Sequence, residues 1–411
     1  SDIKEIINMS SLPIFQNTAT YPIILSLKKN VQSKNQDLKI KILSNMNDLL
    51  EISRIKIKKY NKDLIQKFPS NVIPISGNIN LVTYLFNNFK TFSDTFKDLK
   101  IIYRPFGFLK YRKYFDNISN ERQSNNDLLL IGTGNIEKYY IKFNKRIKIA
   151  GKDIKISYFN YHNNFDHIWN EMASEKLIFR EIAKDLTCYY DPGIFTNITG
   201  LYFIKIPSFN TDQLFGLLTI LNSNILDLVF KTLFGTLHMS GGYLRFNGSF
   251  IKRLPLPRKI PLILSRIGNI IQLLSQLKYD LNSKDIMIMN TPEFKKFYNK
   301  YHTQINTILK FFINLANSLV SLLFLDEFFL NSNINYNILR DLLNLKKEPQ
   351  KIPFKYFYPR FDVKNYEIYS LNELDSIMTK IKIFYNQFHN NTDLFRQIED
   401  IEKKISNNTI I

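Results

Sequence analysis

GGYLRFNGSFIKRLPLP, residues 241–257, is the stretch whose reading decides the fold. Its glycines bracket a short alternating run, and glycine tolerates positive φ and close backbone approach. Successive side chains of a strand face opposite sides. Leu244 and Phe246 are therefore expected inward, with Tyr243, Arg245 and Asn247 outward. Lys252 and Arg253 follow, and Pro255 and Pro257 then stop extended structure and open a helical region.

Upstream, LLTILNSNILDLVFKTLF (217–234) reads as one long apolar helix. Before it, EKLIFREIAKDLTCYYDPGIFTNITGLYFIKIP (175–207) reads as a basic strand and an apolar strand separated by turn residues. In the first strand Leu177 and Phe179 share one face, and Lys176, Ile178 and Arg180 share the other. At least one basic side chain should then face a cleft or solvent. Residues 128–131 form a buried-strand run. Isoleucines 147, 149, 154 and 156 alternate with lysines around Gly151, the pattern of a hairpin with one basic face. IIYRPFGFLKYRKYF (101–115) interleaves Arg104, Lys110, Arg112 and Lys113 with aromatic rings. Such a mixture suits phosphate contact plus stacking on an unpaired base.

Downstream, residues 260–281 and 292–329 carry apolar side chains at helical spacing, with Thr291 as an N-cap and Pro292 at the first helical position. Shorter amphipathic helices are expected over 333–345, 371–388 and 393–405. Residues 1–30 read as helix, loop and a buried strand, the last from IILSLKK.

The order of basic strand, apolar strand, helix, YLRF segment and Leu-Pro closing segment resembles the TaqI-type C-terminal specificity domain. That family serves DNA adenine-N6 methyltransferases and the restriction enzymes built on them. The segment LPIF…TATYPIILSLKK (12–29) is similar to the last part of a Rossmann-like methyltransferase domain. The resemblance implies an α/β class, with an α+β mixed-sheet target-recognition domain followed by a mainly α-helical region. It divides the chain into residues 1–60, a remnant of a methyltransferase-like domain's edge, 61–259, the specificity domain, and 260–411, the helical domain.

Lys+Arg number 56 and Asp+Glu 36, a net charge of +20 that points to a polyanionic partner. The lone Cys188 cannot form an intrachain disulfide, so a reducing cytoplasm is expected. SDIKEIINMSSLPIF lacks the apolar core of a signal peptide. The longest apolar run, FFINLANSLVSLLFL (311–325), is too short and polar for a membrane span and reads as a core helix. No membrane partner is expected.

Catalytic patterns are missing. The five histidines are scattered without metal-ligand spacing. No Asn-Pro or Pro-Pro dipeptide occurs, so the Asn-Pro-Pro-Tyr/Phe loop that the resembled family uses on a flipped adenine is absent. Neither a metal nor a cofactor is expected on this chain; S-adenosylmethionine belongs to the catalytic portion that the resemblance implies. Expected DNA contacts are Tyr243, Arg245, Asn247, Lys252 and Arg253, with Lys176, Arg180 and the 104–113 cluster. The reading is recognition of double-stranded DNA as the C-terminal portion of an adenine-specific methyltransferase or fused restriction–modification enzyme. Its partners are a methyltransferase catalytic domain, in the same or another chain, and possibly a nuclease. Two alternatives stay open: a specificity subunit of a type I restriction system, and a basic helical scaffold without a DNA role.

Overall fold

Leu177 and Phe179 point from the strand Lys176–Arg180 into one apolar core, and Ile178 points into another. Hydrophobes on both sides of a period-two strand place it between packed layers. The computed structural model describes residues 2–15, 22–29, 37–66, 68–69, 72–75, 77–106, 116–149, 151–235, 238–239, 242–282, 291–330, 334–345, 351–356 and 368–406. Its class is the expected one, small mixed sheets followed by a mainly helical region.

The central sheet has four antiparallel strands in the order Cys188–Asp191, Lys176–Arg180, Leu201–Lys205, Lys100–Tyr103. One face packs on helix Thr211–Leu221; Leu262–Asn282 packs on that helix, and Pro292–Leu330 packs on Leu262–Asn282 in turn. The other packs on a second sheet, ordered Phe195–Thr196, Leu128–Leu130, Ser157–Phe159, Ile118–Ser119, and on buried Trp169. The expected hairpin is present as Ile147–Ile149 and Lys152–Ile154, with Ile147 and Ile149 buried and Lys148 exposed.

Helical amides close the outer edge of strand Cys188–Asp191. Asn222 accepts from the Cys188 N–H at 2.8 Å and donates to its carbonyl at 3.0 Å. Gln272 does the same for Tyr190, at 3.0 and 2.8 Å. Buried backbone groups need such partners, and these side chains act as a missing neighbour strand. This use of Asn222 also corrects the single helix expected over 217–234. Two helices, Thr211–Leu221 and Asn224–Phe234, meet there at 58°. Ser223 caps the second, accepting from Leu226 N–H at 3.4 Å.

Pro292–Leu330 starts as expected, Thr291 accepting from Phe294 N–H at 3.3 Å. Among the described residues it is the one helix long and apolar enough to cross a bilayer, yet 78% of its apolar window is buried in the fold. That burial marks a core helix. Residues 351–356 run from the helical core to the other one: Asn269 donates to the Ile352 carbonyl at 2.5 Å, and the Tyr356 and Tyr189 hydroxyls share a hydrogen bond of 2.6 Å. Helices Asn337–Leu343, Leu371–His389 and Thr392–Ser406 complete the helical region.

The amino-terminal sheet is ordered Ile23–Lys28, Asp2–Asn8, Asp37–Ile42, Lys58–Asn61, over a small core of Ile6, Leu38 and Ile40. Two expectations change here. Asp2–Asn8 is a strand and not a helix, because neighbours pair with it on both sides. Ile23–Lys28 is not buried: all six residues are exposed, Leu25 by 46% and Leu27 by 57%. Among the described residues it pairs on one side only, at the end of the sheet.

Candidate nucleic-acid interface

The strand Tyr243–Arg245 pairs with Ile182–Ala183 on one side and His238–Met239 on the other. Gly242 turns into it at φ +74°, a conformation that favours glycine. Leu244 and Phe246 are buried, the Phe246 ring lying 4.3 Å from that of Phe230, while Tyr243 and Arg245 are exposed. The alternation read from the sequence therefore holds.

Arg245 meets a carboxylate as it emerges. Its Nε and Nη2 donate to the same oxygen, Glu181 Oε1, at 3.0 and 2.8 Å. The Arg245 side chain is 59% exposed, whereas that of Glu181 is 8% exposed. The Glu181 hydrogen bonds and charge hold the guanidinium above its ordinary pKa. Glu181 Oε2 accepts from the Tyr103 hydroxyl at 2.9 Å, and that hydroxyl also contacts Thr199 Oγ1 at 3.2 Å. Arg104 Nε donates to the same Thr199 oxygen at 3.3 Å, from a left-handed backbone at φ +51°. The Tyr103 ring stacks 4.4 Å from Tyr202.

Thr199 leads on into a cavity of about 330 Å³, lined by Gly132–Gly134, Lys145–Ile149 and Ile198–Gly200 among others. Lys145, Arg146 and Lys148 line it, and among the described residues no acidic one does. Two features set its shape. Gly200 has φ +88°, and a Cβ there would lie 2.3 Å from Thr133 Oγ1. Fully buried Asn135 accepts from Gly132 N–H at 2.8 Å and donates to the Lys142 and Lys145 carbonyls at 2.9 and 2.8 Å. The loop carrying Lys145 is thus fixed.

The other expected contacts are placed differently. Lys176 is fully buried, with Nζ 2.5 Å from the equally buried Asp191 and bonded to the Met172 carbonyl. Burial pushes its ammonium pKa down, and Asp191 opposes that. Asp191 also accepts from the N–H groups of Gly193, Ile194 and Phe195. Lys176 is therefore a structural ion pair with no surface to offer DNA, and the expectation for it is corrected. Arg180 is half-buried, 3.5 Å from Glu137 Oε2. Asn247 is turned to local capping, accepting from Ser249 N–H at 2.9 Å. Lys252 is half-buried, and its carbonyl accepts from Ser93 N–H at 3.1 Å. The Arg253 guanidinium lies 6.0 Å from the Phe250 ring centroid. Lys110, Arg112 and Lys113 lie outside the described residues.

Glu181, Thr199, Lys145, Arg146 and Lys148 were not singled out from the sequence. The IKI alternation was the available signal for Lys148. Glu181 gave none, being 64 residues from Arg245. Among the described residues, no group of three or more His, Cys, Asp or Glu side chains could hold a metal ion. Cys188 is buried, and burial pushes its thiol pKa far up. Taken together, exposed cations over a rigid polar network make a surface for binding a polyanion.

The comparisons place this surface within a stretch similar to a DNA sequence-specificity unit. Residues 129–256 match the family described as the TaqI-like C-terminal specificity domain. The match covers the cavity, three of the four central strands and the Tyr243–Arg245 strand, and it supports DNA sequence specificity of the methyltransferase type. No curated protein matches the chain.

Proposed function

We propose that this chain grips double-stranded DNA and reads its sequence as the recognition portion of an adenine-specific methyltransferase or fused restriction–modification enzyme. The observation that carries the reading is a coincidence of two features. The stretch matching a specificity domain is the one that holds the acid-free cationic cavity and the exposed Arg245. Lys145, Arg146 and Lys148 would neutralise phosphates, and Tyr243, Arg245 and Arg104 would lie nearer the bases. Lys252, Arg253 and Arg180 are secondary contacts in this reading.

Methyl transfer is assigned to a catalytic part in the same or another chain. Residues 1–60 form the edge of such a domain in this reading, and the exposed apolar strand Ile23–Lys28 is surface suited to cover by it. S-adenosylmethionine does not fit the residues present. The amino-terminal sheet has no glycine-rich turn against which to lay it, Gly77 being the first glycine of the chain.

Fluorescence anisotropy of the purified chain on labelled duplex DNA across a potassium chloride series tests the reading. Affinity should fall with salt by a log–log slope of about −0.9 per phosphate neutralised. Lys145→Glu and Lys148→Glu should each flatten that slope by about one phosphate. A flat response in the unsubstituted chain overturns DNA recognition and favours the scaffold alternative. Incubation with labelled S-adenosylmethionine and duplex should give no methylated DNA; incorporation would overturn the division of labour.

A further inference from the structure

We infer that Glu181 is a positioning residue that makes Arg245 a reader of guanine and prevents it from acting as a phosphate contact. The inference rests on the DNA-binding reading above and adds a base identity to it. The guanidinium spends Nε and one N–H of Nη2 on Glu181 Oε1. What remains free of that carboxylate is the opposite edge, where Nη1 and Nη2 present two parallel N–H donors. In the major groove only guanine offers two adjacent acceptors, O6 and N7. Adenine offers an acceptor beside a donor, thymine one acceptor beside a methyl group, and cytosine a donor. A fixed pair of donors therefore selects G·C.

The charge balance separates base from phosphate. A carboxylate in contact cancels much of the positive charge that a phosphate would be drawn to, since phosphate affinity depends on net charge and counterion release. The neutral acceptors of guanine depend instead on fork geometry. Nor is the carboxylate free to swing aside. Its second oxygen accepts from Tyr103, and its side chain is 8% exposed. Tyr103 is held in turn by its stack on Tyr202, which stacks on Phe179 at 5.0 Å. The cations that neutralise phosphate are then the residues of the neighbouring cavity, whose lining holds no carboxylate among the described residues.

The test is selection of a randomised duplex library by the full chain, followed by affinity and salt-slope measurements on selected and scrambled duplexes. The unsubstituted chain should require G·C at one position at least. Arg245→Ala should lose discrimination at that position by about 5- to 100-fold, with only a smaller fall in affinity for scrambled duplex from the uncovered Glu181 carboxylate. Arg245→Lys keeps the charge but lacks the fork, and should lose the same preference. Glu181→Gln should behave in the opposite sense on scrambled DNA: affinity rises and the slope steepens by up to about one phosphate, while the G·C preference weakens. A cooperative urea transition in Glu181→Gln separates this gain of non-specific binding from misfolding. If Arg245→Ala weakens all sequences equally, with no loss of the G·C preference, Arg245 contacts phosphate and the inference fails. If it changes neither preference nor slope, the arginine is structural and the inference fails too. Absence of salt-dependent duplex binding in the unsubstituted chain instead removes the DNA reading beneath it.

Discussion

Two edge strands of this protein solve the same physical problem in opposite ways. Cys188–Asp191 ends the central sheet, and its outward N–H and C=O groups are met by Asn222 and Gln272 from helices. Ile23–Lys28 ends the amino-terminal sheet with apolar side chains exposed. An open edge invites pairing with other chains, and proteins commonly cover it or place charge on it. The first edge is finished within the described fold; the second is surface that suits a neighbour. The lesson is that neither CYYD nor IILSLK shows in its own residues how its edge is covered, since the cover over the first comes from elements distant in sequence.

The comparison breaks most sharply at Gln272. Gln272→Leu would leave the Tyr190 N–H and C=O buried without partners, at a cost of about 1–3 kcal/mol for each group. Urea unfolding should show the lost stability, and an unchanged midpoint would mean that the amide cover is dispensable. On the open edge, Leu25→Lys should alter unfolding free energy by no more than about 0.5 kcal/mol, as for other surface changes. It should instead lower self-association in light scattering. A large stability loss there would show that Leu25 is packed after all.

The smallest effect belongs to the far edge of the central sheet, Lys100–Tyr103, which is guarded by charge. Lys100 lies 2.5 Å from Glu171, which also pairs with Lys205. Burial pushes the Glu171 carboxyl up, but the two ammonium groups outweigh it and leave its pKa below the ordinary 4.5. The folded protein thus holds the carboxylate form more firmly than the unfolded chain does. Its contribution is complete above about pH 4.5 and is lost as pH falls through the lower folded value. Urea midpoints measured from pH 7 down to pH 3 should fall less steeply for Glu171→Gln than for the unsubstituted chain. Equal pH dependence would rule out this pair as an acid-labile guard.

Where local alternation decides orientation, the sequence was a good guide. Leu244 and Phe246 point in, Tyr243 and Arg245 point out, and the IKI hairpin shows its lysine. The helices from Leu262 to Ser406 begin and end near the expected positions because spacing and caps are local signals. Lys176 shows where this stops. In a strand covered on both faces, alternation no longer separates core from solvent, and Asp191 lies on the neighbouring strand. The same holds for the site: Arg245 was readable as an outward cation, but the Glu181–Tyr103–Thr199 network joins residues up to 96 positions apart. No local pattern encodes it.

Tyr356 ties these regions together more tightly than the order of the chain suggests. Its ring belongs to the core on one side of the central sheet, while Ile352, four residues earlier, belongs to the helical core on the other. The chain is laced through its own middle like a bootlace, with the Tyr189–Tyr356 hydroxyl pair as an eyelet. A minimal DNA reader trimmed of the downstream helices would lose this stitch, and so the helical region is part of what holds the recognition surface in shape.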